Sequence, residues 1–173
     1  MLYPMHLVLL ELLIDPLCAL VFESEPGDPD AMRKPPRNRG EPLFGSQQIT
    51  IAALEGSVLL AATLGFYAWL NGMGLATGEA RSAAFIALVT GHLSLALSVS
   101  GGDGGRLFSR DRLVFWAIGG AAALVLILSL SLPAMRDILR FSPLEPWIVG
   151  AGVLIGIAAG GWFAVAKRTL IRA

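Results

Sequence analysis

The chain has a single cysteine, Cys18, two histidines and little charge: Asp, Glu, Lys and Arg together make up 15% of its 173 residues. One cysteine excludes an internal disulfide and any cysteine-built metal cage. Two histidines, His6 and His92, both in or near apolar runs, leave no material for a nucleophilic triad. Thirteen basic residues balance thirteen acidic ones, so the charge offers nothing to nucleic acid, and no nucleic-acid partner is expected. The glycines at Gly101, Gly102, Gly104 and Gly105 lack a following Lys-Ser/Thr. They make a flexible loop tip rather than a phosphate cradle. No basic stretch precedes the first apolar run and no small-residue cleavage site follows it, so that run does not read as a signal peptide.

What is abundant is apolar sequence: 55% of the residues are hydrophobic and the mean hydropathy is +0.68. Soluble domains of this size carry more charge. Five segments approach the ~20 residues a helix needs to cross a bilayer. They run over residues 5–22, 49–70, 82–99, 113–132 and 147–166. These runs are too long for strands and lack the alternation of membrane barrels. The expected fold is therefore all-α, a membrane bundle of five transmembrane helices with one connection, 23–48, long enough to form a distinct loop. That connection holds five prolines between residues 23 and 46 and should follow a mostly extended path.

Basic residues predict the orientation. Arg33, Lys34, Arg37 and Arg39 lie in the first connection, Arg106, Arg110 and Arg112 in the third, and Lys167, Arg168 and Arg172 in the tail. These ten fall on one side and only Arg81, Arg136 and Arg140 on the other, which places the N-terminus outside and the C-terminus in the cytoplasm. Tyr67, Trp69 and Trp147 near outer boundaries, with Phe44 and Trp116 near inner ones, fit an interfacial belt.

The first span carries two carboxylates, Glu11 and Asp15, four residues apart and hence on one helix face. Ionisable groups inside a membrane are costly and by default point to an ion or proton pathway. Pro16 lacks an amide hydrogen and its ring crowds the carbonyl of Leu12, so the helix should kink or loosen there. Carbonyls freed beside carboxylates make a hard-oxygen site suited to alkali or alkaline-earth cations or to protons. The structural alternative is a proline kink with Asp15 paired to a buried polar group.

The string at Pro4 to Pro16, P-x-H-L-x-x-L-E-L-L-I-D-P, is followed by E-P-x-x-P-D-x-M at Glu25 to Met32 and P-P-R-x-x-x-E-P-L at Pro35 to Leu43. In this order they resemble the sixth transmembrane helix and following loop of cation-transporting P-type ATPases. Leu132-Pro133, then Phe141-Ser142-Pro143-Leu144 and Trp147, are similar to that family's loop between helices nine and ten. The resemblance covers the chain as helices six to ten, the C-terminal transport region, in an integral membrane protein expected in the plasma membrane. It implies that Asp15 matches the key carboxylate of helix six and that Glu11, one turn earlier, matches a second ligand position. His92 falls where some relatives carry a ligand in helix eight, with a core histidine as the alternative. Ile14 stands where calcium pumps place a hydroxyl, and Pro16 and Cys18 depart from a glycine and a proline. Calcium specificity is thus not implied.

The family's D-K-T-G-T phosphorylation and T-G-E-S actuator motifs are absent from this sequence. The chain is expected not to hydrolyse ATP alone and to hold no cofactor, whereas the parent pump would use ATP and Mg2+. Its expected partners are the lipid bilayer and the N-terminal part of the pump, helices one to five with the cytoplasmic domains, or a homologous pump. The expectation is a fragment of a longer pump, a half-pump, or a truncated, inactive subunit that docks on other membrane proteins. Weaker candidates are Glu55, expected to snorkel or pair with a basic side chain, and Thr90, Ser94 and Ser98, expected to bridge helices. His6 reads as an exit-path or interfacial residue, and Arg33 to Arg39 as a topology signal with docking potential.

Overall fold

The structure is a computed structural model, and it describes residues 3–23, 31–33, 45–99 and 113–171. Among these, six α-helices account for nearly everything: α1 (Pro4–Glu23), α2 (Ser46–Gly72), α3 (Thr77–Val99), α4 (Leu113–Ser131), α5 (Pro133–Leu139) and α6 (Pro146–Ile171). The chain is an all-α membrane helix bundle. On their described residues, α2, α3 and α6 are each long and apolar enough to cross a membrane, and α4 qualifies jointly with α5. α1 is 20 residues long and carries the two acids. The basic connections at 34–44 and 100–112 lie outside the described residues, as does the side chain of Cys18. Ala31–Arg33 forms a short 3-10 turn.

The five long helices bring one set of ends to a common rim. The start of α1 meets the starts of α3 and the end of α5, since the His6 ring packs on Phe85 and Phe141. The end of α2 meets the start of α6 through an edge-on contact of Trp69 with Trp147, 6.5 Å between centroids. Arg81, Arg136 and Arg140, the three basic residues that the sequence sets apart from the other ten, all belong to α3 and α5 elements at this rim. The Trp pair sits half-exposed there, as amphipathic rings do at a bilayer boundary.

Local chemistry sets the turns. Gly74, at φ +85°, provides the left-handed residue between α2 and α3, and Leu75 N–H closes the turn onto Leu70 O at 3.2 Å. Pro133 occupies the first turn of α5, where its missing N–H costs nothing. α5 is bent 93° from α4. It ends at Arg140, in a left-handed conformation with φ 53°, and Phe141 N–H bonds Arg136 O at 2.9 Å. The sequence reading treated this stretch as loop; its seven residues are too few to show helical periodicity.

α3 is the most enclosed helix, with Ser82 through Ala87 all buried, and α6 is its principal partner. Small residues make this possible. Gly152, Gly156 and Gly160 recur every four residues on α6, facing Ala83, Ala87 and Gly91 on α3. A Cβ on Gly156 would lie 2.5 Å from Ala87 O and 2.8 Å from Gly91 N. On Gly160 it would strike Gly91 O and come within 2.9 Å of Leu95 N. Lipid tails are as apolar as leucine, so close backbone approach, rather than exclusion of water, favours such a seam. Ser94 Oγ donates to Ile157 O at 3.1 Å and Ser98 Oγ to Gly160 O at 3.3 Å, bridging the helices as expected. Thr90 instead bonds its own helix, at Ile86 O, 2.7 Å.

Candidate cation site

α1 has two faces of opposite character. His6, Leu9 and Leu13 are buried, at 0%, 9% and 7% exposure, against a core built from Phe85, Ile86, Val89, Ala122, Leu126 and Phe141. Glu11 and Asp15 are exposed, together with Val8 and Leu12. At 100° per residue, the midpoint of the carboxylate pair lies roughly 170° around the helix from the buried triplet. The two acids share a face that the bundle leaves uncovered.

α1 runs through Pro16 as one helix. The expected loosening is therefore no break: a proline deletes a single ladder bond, and the bonds on either side carry the helix across. Covalent structure still leaves Leu12 O without an N–H from residue 16, in the residue next to Glu11 and about one turn before Asp15. The first span thus presents two exposed carboxylates near a carbonyl that lacks its usual donor from residue 16.

His92 is not brought into that patch. It sits half-buried on α3, and its Nδ1–H donates to Leu88 O of its own helix at 2.8 Å. Among the described residues, no three His, Cys, Asp or Glu side chains are grouped so as to hold a metal ion. Glu11, Asp15 and His92 thus do not form a closed ligand set within this chain. Glu55 is buried at 8% exposure on α2, with no hydrogen bond or ion pair to its carboxyl among the described residues.

His6 is an anchor rather than an open exit-path group. Its Nδ1 accepts from Tyr3 N–H at 3.2 Å, which requires the proton on Nε2, and Nε2–H donates to Leu139 O at 2.5 Å. The ring stacks on Phe141 at 4.7 Å with a 3° interplanar angle. Neutral imidazole satisfied at both nitrogens fastens the start of α1 to the end of α5. The sequence carried no signal of this, because its partner is a backbone carbonyl 133 positions away.

The family model for the C-terminus of cation-transporting ATPases matches residues 1–169. The chain belongs to this family. Among curated proteins, none matches it. Membership in the cation-transporting ATPase C-terminal family gives the chain a membrane-region role in P-type cation pumps and a membrane as its context. It also gives meaning to the uncovered face of α1, since such a region works beside the remainder of a pump. The glycine seam was readable as G-x-x-x-G-x-x-x-G at 152–160, a known signal of close helix packing, although its partner helix was not.

Proposed function

We propose that this chain supplies part of the intramembrane cation or proton site of a P-type pump, with Glu11 and Asp15 as its contribution and Leu12 O as a neighbouring neutral ligand. The observation that carries this reading is the exposure of both carboxylates on the face of α1 opposite its buried face. A charged side chain turned to lipid at mid-membrane costs about 2.5–3.5 kcal/mol on insertion scales. Two on one face call for protein cover. Helices from the N-terminal part of the pump would supply that cover and the remaining ligands, which agrees with the absence of a complete ligand set among the described residues. Two carboxylates and one carbonyl are too few for a divalent cation that takes six or more oxygens. The transported cation is cargo of the assembled pump, and ATP and Mg2+ would act on its other domains.

In the same reading, the rim holding Arg81, Arg136 and Arg140 faces outward and the ten-residue basic side faces the cytoplasm of a plasma membrane. His92, bonded within its own helix, serves as a packing residue with Nε2 left over for a neighbouring helix.

The test is Asp15→Asn in the full-length pump, with ion occlusion and membrane insertion measured on the same preparation. Occlusion should disappear while insertion stays intact. Unchanged transport by that variant would refute the assignment.

A further inference from the structure

A groove of about 230 Å3 opens between α2 and α3 beneath the rim, lined by Thr63, Leu64 and Tyr67 on one side and Arg81, Ala84, Phe85 and Leu88 on the other. The α3 residues repeat at i, i+3, i+4 and i+7, a single helix face about 10 Å long from Arg81 to Leu88. The groove is apolar along its length and has an arginine at its rim end. Thr63, only 9% exposed, adds a hydroxyl with no hydrogen-bond partner.

The rim above it carries three arginines, with Glu79, Asp137 and Glu145 close to them in sequence. The guanidinium carbons of Arg81 and Arg140 lie 4.3 and 5.1 Å from the centroid of one ring, Tyr3. Arg81 Nη2–H donates to a neutral acceptor, Arg140 O, at 3.0 Å, while Arg81 Nε and Arg136 Nε are buried and unpaired. Among the described residues no carboxylate forms an ion pair with any of these three arginines. Of the acids nearby in sequence, Glu79 accepts Ala76 N–H at 3.2 Å and Glu145 accepts the Trp147 indole N–H at 2.6 Å, while Asp137, between Arg136 and Arg140, pairs with none of the three arginines among the described residues. Tyr3 registers the local field, its phenol held below the ordinary tyrosine value by hydrogen bonds from Arg140 and then Arg81. Arg140 is moreover kept in a left-handed conformation, so the backbone holds two like charges on one small ring.

We propose that this groove and rim are a binding site for one anionic phospholipid, its phosphate between Arg81 and Arg140 and an acyl chain lying along Tyr67, Ala84, Phe85 and Leu88. Arginine binds phosphate through paired N–H donors, and its stem packs against the apolar groove while its head stays at the boundary. The half-exposed Trp69–Trp147 pair marks the same boundary level.

The test is native mass spectrometry of the protein purified from its own membranes, offered equimolar dioleoyl phosphatidylglycerol and dioleoyl phosphatidylcholine. The expected result is a single retained lipid with about tenfold preference for phosphatidylglycerol. Arg140→Gly removes the charge while leaving the turn and the carbonyl that Arg81 uses, and should reduce the preference at least threefold. Ala84→Phe fills the groove and should reduce retention of both lipids. Equal retention of the two lipids by the wild type would overturn the proposal. So would an unchanged preference in Arg140→Gly, or unchanged retention in Ala84→Phe, which would leave only loose charge attraction or a groove closed by a helix from the rest of the pump.

Discussion

Gly160→Ala is a single methyl addition with a calculable consequence. The new Cβ would overlap Gly91 O and sit 2.9 Å from both Leu95 N and Ser94 Cβ. All three belong to the α3 turn that α6 packs against, and two are backbone atoms that no rotamer change can move. A carbon needs roughly 3.3–3.6 Å from such an oxygen, so the helices must separate by about 1 Å or more. That separation stretches the Ser98–Gly160 hydrogen bond from 3.3 Å and the Ser94–Ile157 bond from 3.1 Å beyond useful range. Interhelical hydrogen bonds in membranes average ~0.6 kcal/mol each, and overpacking costs about 1–3 kcal/mol. Alanine's better helix propensity returns at most ~1 kcal/mol. The net expectation is a loss of about 1–3 kcal/mol. Gly65→Ala is the control, because nothing lies within 4 Å of its Cβ position, and it should be neutral or slightly stabilising. Reversible unfolding of the solubilised protein in mixed micelles measures both. Equal stability of Gly160→Ala and Gly65→Ala would refute the seam as the basis of α3–α6 association.

Four other outcomes are expected. His6→Phe keeps the stack on Phe141 but orphans Tyr3 N–H and Leu139 O, and should lower stability by about 1–3 kcal/mol in thermal unfolding. Arg140→Gly should raise the melting temperature, since the left-handed conformation costs a non-glycine residue about 1 kcal/mol or more; an unchanged or lower value would contradict the strain argument. The phenol of Tyr3 is lowered, so its ionised form is favoured by the fold: that contribution exists only above the ordinary tyrosine value and is lost as pH falls through the lowered one. At neutral pH Tyr3→Phe should therefore cost nothing electrostatic, while an absorbance titration of the two tyrosines should lose its earlier-titrating component in that variant. Ser94→Ala and Ser98→Ala should each cost under about 1 kcal/mol, and a larger loss would show that the hydroxyls carry more of the seam than its glycines do.

Three of the expected spans, and a fourth where α4 is taken with α5, were legible because hydropathy is local: an apolar run states by itself that it can cross a bilayer. The fourth apolar run, read as 113–132, lies on the helix Leu113–Ser131. The acid pair was legible for the same reason, since four residues of spacing fix a shared helix face whatever surrounds it. Glu55 was legible as an intramembrane acid, but its lack of a partner among the described residues was not, because pairing depends on which side chains another helix brings near. α5 was missed because seven residues after a proline look like loop, and only its packing at the end of the bundle keeps it helical.

The sequence by itself determined the class of fold, the membrane context, the family, and the pairing of two carboxylates, Glu11 and Asp15, on one helix face. Tertiary structure alone decided which way that pair faces. Leucine turned to lipid and leucine turned to a neighbouring helix have the same hydropathy, so apolar sequence does not choose helix partners. Close packing chooses them: Gly156 and Gly160 draw α6 onto α3, His6 ties α1 to the end of α5, and the face of α1 bearing the two carboxylates is what remains uncovered.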